Sequence, residues 1–259
     1  MMAKTSPSAP GELVQNNPWE SLRRHTAARI ALGRVGSSLP TDEVLHLGLA
    51  HAQARDAVHR PLDFDALQRE LLGDGWQVLR AHSQAPSRQT YLLRPDLGRR
   101  LLEADRAALR TQRAAAELAI VVADGLSSSA AQKHVQPLLA AFRTCFDTDW
   151  ANTPVVLVEQ GRVAIGDEIG EALRARLVAV LIGERPGLSS PASLGIYLTF
   201  APRLGRMDSE RNCISNVRPE GLAYPLAAHK LAYLCRAALR LQLTGVDLKD
   251  DSDLLASPA

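Results

Sequence analysis

Leu118-Ala119-Ile120-Val121-Val122-Ala123, Val155-Val156-Leu157-Val158 and Leu177-Val178-Ala179-Val180-Leu181-Ile182 decide the fold of this chain. Each run is short, unbroken and apolar, and rich in β-branched residues. That is the texture of a strand buried on both faces, as in a parallel sheet with helices above and below it. Helices are predicted between the runs, over Ala130–Phe146 and Asp167–Ala175. Strand–helix alternation of this kind argues for an α/β domain. A further strand is predicted over Gly195–Phe200. A last helix, Tyr224–Leu243, carries Ala227, Leu231, Leu234, Ala238 and Leu241 as its core stripe, with His229, Arg236 and Arg240 on the other side. Gly245 is a plausible stop for it.

The chain changes texture upstream of these runs. Residues 19–110 are rich in Ala, Leu and Arg and read as mainly helical. Thr41 is expected to cap a helix, with Pro40 before it and Asp42 and Glu43 in its first turn. Val44, Leu45, Leu49 and Ala52 then recur at helical spacing. Trp76–Arg80 is expected to form a short hairpin with Thr90–Leu93, and a helix to run over Leu97–Arg113. The expected organisation is a flexible tail (1–17), a helical N-terminal region with a short hairpin (18–112), an α/β domain (113–248) and a C-terminal tail (249–259). The fold class is therefore α/β, a doubly wound, mostly parallel (Rossmann-like) sheet preceded by a helical N-terminal domain.

Composition narrows the function. The chain has 259 residues, 46% of them hydrophobic, which is enough for a sizeable core. With 30 basic against 28 acidic residues it lacks the basic excess of a nucleic-acid binder, and 4% aromatic residues leave little for base stacking. Three scattered cysteines, Cys145, Cys213 and Cys235, without a C-x-x-C pair, read as reduced thiols and make a structural zinc site improbable. Met1–Gly11 has no apolar core of a signal peptide, and no run of about 18 apolar residues marks a membrane span. A cytoplasmic protein is expected.

In open α/β sheets ligands bind beyond the carboxyl ends of the strands. The loops there are Asp124-Gly125-Leu126-Ser127-Ser128-Ser129, Glu159-Gln160-Gly161-Arg162-Val163 and Gly183-Glu184-Arg185-Pro186-Gly187-Leu188. They converge on one rim if their strands are neighbours. Each also has a plain reading. The serines cap the following helix, Glu184 and Arg185 are solvated charges, and Cys213 is a small buried residue. No G-x-S-x-G elbow surrounds the serines and the glycines do not spell G-x-G-x-x-G, so a serine hydrolase and a standard dinucleotide site are both weak readings. His51, Arg55 and His59 share a helix face, better read as solvated or partner-facing than as metal ligands. A stand-alone enzyme using Ser127–Ser129 and an interaction module without a small-molecule ligand both stay open on the residues alone.

Several of these segments, in this order, resemble signatures of the ethanolamine ammonia-lyase small subunit family. They are Tyr91-Leu92-Leu93-Arg94-Pro95-Asp96-Leu97-Gly98-Arg99-Arg100-Leu101, Ala123-Asp124-Gly125-Leu126-Ser127, Gly161-Arg162-Val163 with Asp167-Glu168-Ile169-Gly170-Glu171, Gly183 to Leu188, and Arg211-Asn212-Cys213-Ile214-Ser215-Asn216. Ala50–Val58 adds a weaker match. The resemblance implies a lyase complex in which a large TIM-barrel subunit holds the substrate and adenosylcobalamin sits between the two chains, with ethanolamine converted by radical chemistry to acetaldehyde and ammonia. It implies Val163, Glu184 and Cys213 as cobalamin contacts, with Asp124 and Ser127 at the same rim by strand order, and no catalytic residue in this chain. The chain lacks D-x-H-x-x-G, the pattern of a protein histidine replacing cobalamin's own base, so no cobalt ligand is expected. The resemblance also implies a hetero-oligomer and a bacterial microcompartment. Met1–Asn17, however, has no apolar stripe of the kind that begins encapsulated relatives.

Overall fold

The computed structural model describes residues 13–112 and 116–252. The expected tails lie largely outside these residues, as does Arg113. The chain divides into two compact units, residues 13–56 with 187–191, and residues 57–186 with 192–252.

The smaller unit holds most of the first helix, α1 (Thr41–His59). Thr41 is its first helical residue and follows Pro40; it does not cap the helix as expected. Short antiparallel bridges join Gln15 to Arg34 and Val35 to Ser38. Arg23 pairs with the buried Glu43 at 2.6 Å, and Arg29 Nη2 donates to the Leu188 carbonyl at 3.3 Å.

The larger unit is built on one six-stranded sheet. Its strands are β1 (Gln77–His82), β2 (Leu118–Ala123), β3 (Pro154–Glu159), β4 (Leu177–Gly183), β5 (Leu194–Phe200) and β6 (Asn212–Val217). Their order is β1-β3-β2-β4-β5-β6. The first four are parallel, and β5 is antiparallel to both of its neighbours. The sheet is therefore mixed. The three apolar runs are its buried centre: every residue of β2 and β4, and Val155–Val158 of β3, is buried.

Side-chain alternation along each strand sends residues to two cores. Leu118, Ile120 and Val122 meet α2 (Phe64–Gly73), α6 (Ser128–Cys145) and α8 (Tyr224–Leu241) on one face. Ala119, Val121 and Ala123 meet α5 (Glu103–Arg110) and α7 (Ile165–Ala172) on the other. Asp63 caps α2 by accepting the Ala66 N–H at 2.9 Å. Leu67 and Leu71, one turn apart, carry that helix onto the core. In α8 Leu241, expected in the core stripe, is exposed, and the left-handed residue that ends the helix is Gln242, at φ 58°, ahead of Gly245.

Two expectations are corrected. Trp76–Arg80 forms no hairpin with Thr90–Leu93. The strand there, β1, pairs parallel with β3, Val78 opposite Val155, while residues 90–93 belong to α3 (Arg88–Leu93), whose N-cap Ser87 accepts the Thr90 N–H. The helix expected over Leu97–Arg113 is interrupted. A short α4 (Pro95–Gly98) and α5 flank Leu101, which is fully buried and bridges to Ser83. Among the described residues no helix is long and apolar enough to cross a membrane.

Candidate functional site: the rim and open face of the sheet

Because β3, β2 and β4 are neighbours and parallel, their three following loops do converge on one rim. Asp124 stands at its centre. Its side chain is buried and accepts N–H bonds from Gly125 (3.0 Å), Gln160 (3.2 Å) and Gly161 (3.2 Å), so it ties the end of β2 to the loop after β3. Burial pushes its carboxyl up to about 6, against the pull of Arg88 and the three N–H donors, which leaves it ionised at neutral pH. Arg88 reaches Asp124 at 3.5 Å and donates to the Gly125 carbonyl at 2.7 Å. Gly125 and Gly183 let β2 and β4 close upon each other. A Cβ on Gly183 would lie 2.0 Å from the Ser127 carbonyl oxygen, and one on Gly125, at φ +59°, 2.3 Å from that of Gly183.

The serine loop is a packing element of this rim. Ser127 sits at the N-cap position of α6, and Ser127 and Ser128 are buried. The Ser127 and Ser129 hydroxyls lie 3.1 Å apart, and that of Ser128 donates to the Arg60 carbonyl. His134 is engaged elsewhere, its Nδ1 2.8 Å from the Tyr224 hydroxyl. A hydrolytic role for these serines finds no support here.

Val163, Glu184 and Cys213 lie on the α7 side of the sheet. Val163 is half-buried in the turn before α7, packs against that side's core, and gives its carbonyl to the Gly166 N–H at 3.1 Å. Among the described residues its own N–H has no partner. Glu184 follows β4, where Val178, Val180 and Ile182 already point to this side. It is half-buried, and its carboxylate accepts the Ser193 hydroxyl at 2.6 Å and the Asn216 N–H at 3.2 Å. Cys213 lies opposite Tyr197 in the β5–β6 pair, and Tyr197 is level with Val180, halfway along β4. Cys213 is thus in the middle of the face and exposed; neither a rim position nor a buried one describes it. Although the residue is exposed overall, its neighbours shield the thiol enough from water to raise its pKa, with the Tyr197 hydrogen bond opposing this and the Glu184 charge adding to it. Glu184, Tyr197 and Cys213 therefore form one group. Val163 lies on the same side, in the segment that crosses from β2 toward β4: Gly161 packs on Ala123 and Gly166 on Val180.

Here the face is open. The helices of the α7 side pack on β1, β2 and β4, whereas Cys213 and Ser215 of β6 are exposed and Tyr197 of β5 is half-buried. The surface offers a carboxylate, a phenol, a thiol and small residues.

Below Cys213 a buried ion pair joins α7 to the start of β6. Arg211 meets both oxygens of Asp167, at 2.6 and 2.7 Å, and also donates to the Thr199 hydroxyl at 3.0 Å. Sequence reasoning missed this pair, Ser193 and strand β6. Arg211 and Asp167 did stand inside quoted motifs, but nothing in their spacing announces that they meet.

The sequence profile of the ethanolamine ammonia-lyase light chain family matches residues 16–249. The chain is 57% identical over 243 residues to the ethanolamine ammonia-lyase small subunit of Azotobacter vinelandii, covering 92% of this chain and 90% of that one. It is 57% identical over 245 residues to that of Pseudomonas aeruginosa (93% and 90%), and 56% over 247 residues to that of Ralstonia nicotianae (93% and 91%). A match of the family profile over nearly the whole length, with relatives 56–57% identical across more than nine-tenths of the chain, leaves a single assignment: this chain belongs to the ethanolamine ammonia-lyase light chain, or small subunit, family.

Proposed function

We propose that the chain is the small subunit of an adenosylcobalamin-dependent ethanolamine ammonia-lyase and holds the cofactor against a large catalytic subunit. The observation that carries this reading is the placement of Glu184 beside the open face of β5 and β6. A corrinoid is rimmed by amides, and a carboxylate held by two donors keeps lone pairs for further N–H groups. The Val163 N–H supplies a donor on the same side. Cys213 and Ser215 leave room for a broad ligand to approach the sheet. These residues fit the group. When bound, adenosylcobalamin would supply the radical chemistry that turns ethanolamine into acetaldehyde and ammonia; this chain's residues orient the cofactor and cover one side of it. No residue of this chain is assigned a catalytic role or a cobalt bond.

We further propose residues 113–248 as the cobalamin-facing part and 18–112 as a mainly helical region ahead of it that nonetheless supplies β1 to the same sheet, with 1–17 and 249–259 as tails. The helices on both faces of the sheet support a doubly wound, Rossmann-like description. Ser21–Arg34 and the His51–His59 face are proposed contacts of the large subunit in the hetero-oligomer; Ser21–Ile30 is exposed throughout, which favours this. Three free cysteines support a cytoplasmic setting.

The test is ethanolamine deamination with added adenosylcobalamin, for the chain alone and co-expressed with its large subunit. Activity only in the co-expressed sample, with a weaker cofactor affinity after Glu184→Ala, is expected. Turnover by the chain alone would overturn the reading.

A further inference from the structure

Glu184 is a flexible side chain in a loop, and a useful ligand contact must be held still before the ligand arrives. Three features do this. Ser193 grips both ends of the residue: its hydroxyl donates to Oε2 at 2.6 Å, and its carbonyl accepts the Glu184 N–H at 3.0 Å. Ser193 is only 6% exposed, so water does not readily replace that hydroxyl. The second donor is the Asn216 backbone N–H, 3.3 and 3.2 Å from the two carboxylate oxygens. It points there because β6 bulges at this level: Leu194 pairs with Val217 but Ile196 with Ile214. Asn216 takes a left-handed φ of 58° in the bulge. Such bulges re-aim groups next to binding sites. Gly221 makes the bulge possible, since a Cβ there would lie 2.4 Å from the Asn216 oxygen. Third, Gly195 leaves the space beside the carboxylate; a Cβ would be 3.2 Å from Glu184 Cγ and Oε1.

We infer that Ser193 is a positioning residue for the cofactor, acting through Glu184, with the Asn216 bulge as its second support. The inference rests on the reading of Glu184 as a cobalamin contact. It makes the Ser193–Glu184–Asn216 unit, rather than Glu184 alone, the determinant of affinity on this side of the ligand.

The experiment is a double-mutant cycle on the complex with the large subunit, reading the dissociation constant of adenosylcobalamin by equilibrium dialysis. Ser193→Ala is expected to weaken binding about three- to tenfold when Glu184 is present, the fold-change of one ordinary hydrogen bond, since Ser193 holds the carboxylate and does not itself touch the ligand. In the Glu184→Ala background it should have no effect. The rate at saturating cofactor should change less than about twofold in Ser193→Ala, since positioning acts on affinity. Ser193→Cys, close in size but a weak donor, should repeat the result if the alanine variant assembles poorly. Asn216→Gly, which keeps the N–H and favours the left-handed turn, should bind like the parent. An unchanged affinity in Ser193→Ala and Ser193→Cys, or an equal loss in both backgrounds, overturns the inference while leaving the Glu184 contact standing. An unchanged affinity in Glu184→Ala overturns both.

Discussion

Asp167→Ala should be among the most damaging single substitutions on the α7 side of the sheet. Asp167 and Arg211 are 3% and 2% exposed, and their two parallel hydrogen bonds measure 2.6 and 2.7 Å. Burial pushes the Asp167 carboxyl up, and the Arg211 guanidinium pulls against it. Arginine cannot neutralise itself in proteins, so removing the carboxylate strands a buried cation. Breaking a buried pair from one side costs about 3–5 kcal/mol. Against a total stability of about 5–15 kcal/mol, that is a large share. Asp167→Leu with Arg211→Met should cost much less. It removes both charges, leaving mainly the lost bonds to the Thr199 hydroxyl and the Arg206 carbonyl, each worth about 1 kcal/mol. Urea unfolding at pH 7, followed by circular dichroism, measures both variants. A cost below about 1.5 kcal/mol for Asp167→Ala, or a double variant worse than the single one, would refute the reasoning. The pair joins the helix after Val163 to the strand of Cys213, so the single variant should also lose cofactor affinity.

Asp124 should give a distinctive pH dependence. Its folded-state pKa is raised from 3.8 to about 6, so its contribution to stability is fully present below the lower value and lost as pH rises through the upper one. Relative to Asp124→Asn, the parent should lose about 2 kcal/mol between pH 4 and pH 7, measured by urea unfolding at both; parallel curves for the two proteins would contradict this. Two glycines should respond in opposite directions. Gly183→Ala drives a Cβ into the Ser127 backbone, 2.0 Å from its oxygen, and should cost about 3 kcal/mol or more. Gly48→Ala in α1, where nothing lies within 4 Å of the new Cβ, should stabilise by about 0.5–1 kcal/mol. Thermal unfolding separates the two, and equal shifts would mean that the close approach at Gly183 is relaxed in solution.

The central strands were legible because burial on both faces leaves an unbroken apolar run, a signal that needs no knowledge of neighbours. Strand adjacency was not. Nothing in Trp76–Arg80 says that its partner is Val155 and its neighbours, far along the chain, and the apolar Tyr91-Leu92-Leu93 invited a local hairpin. Ser87, a helix cap, was the contrary clue. Helix α2 also went unread although Asp63, Leu67 and Leu71 mark a cap and a core stripe. Strand β6 was hidden for a different reason. Asn212-Cys213-Ile214-Ser215-Asn216-Val217 buries Ile214 and Val217 on one face only, and its bulge breaks the alternation. Val163, Glu184 and Cys213 were reached by motif resemblance. Ser193 could not be, because its role is set by a contact across the loop and not by any pattern in its own segment.

The open face follows from topology. Each parallel strand must be reached by a crossover, and the crossover helices cover the sheet. Up to β4 this rule holds, and both faces of the sheet are packed. β5 then returns antiparallel after a helix-free loop, residues 184–193, and β6 follows with only a single short turn of helix between. On the α6–α8 side the long helix α8 still covers both strands. On the α7 side no crossover helix is created to cover them, so the sheet is left bare where parallel pairing stops. A bare apolar face would be a liability in water. This one is tolerable because its residues are Gly195, Tyr197, Cys213 and Ser215, small or carrying a polar atom. On the proposed function, a broad ligand with amides at its edge would lie there without displacing a helix and would meet the Glu184 carboxylate, which Ser193 and Asn216 hold, at the upper margin. The switch from parallel to antiparallel pairing after β4 is thus the structural event that leaves this part of the face uncovered by a helix, and the proposed function makes that open strip its binding surface.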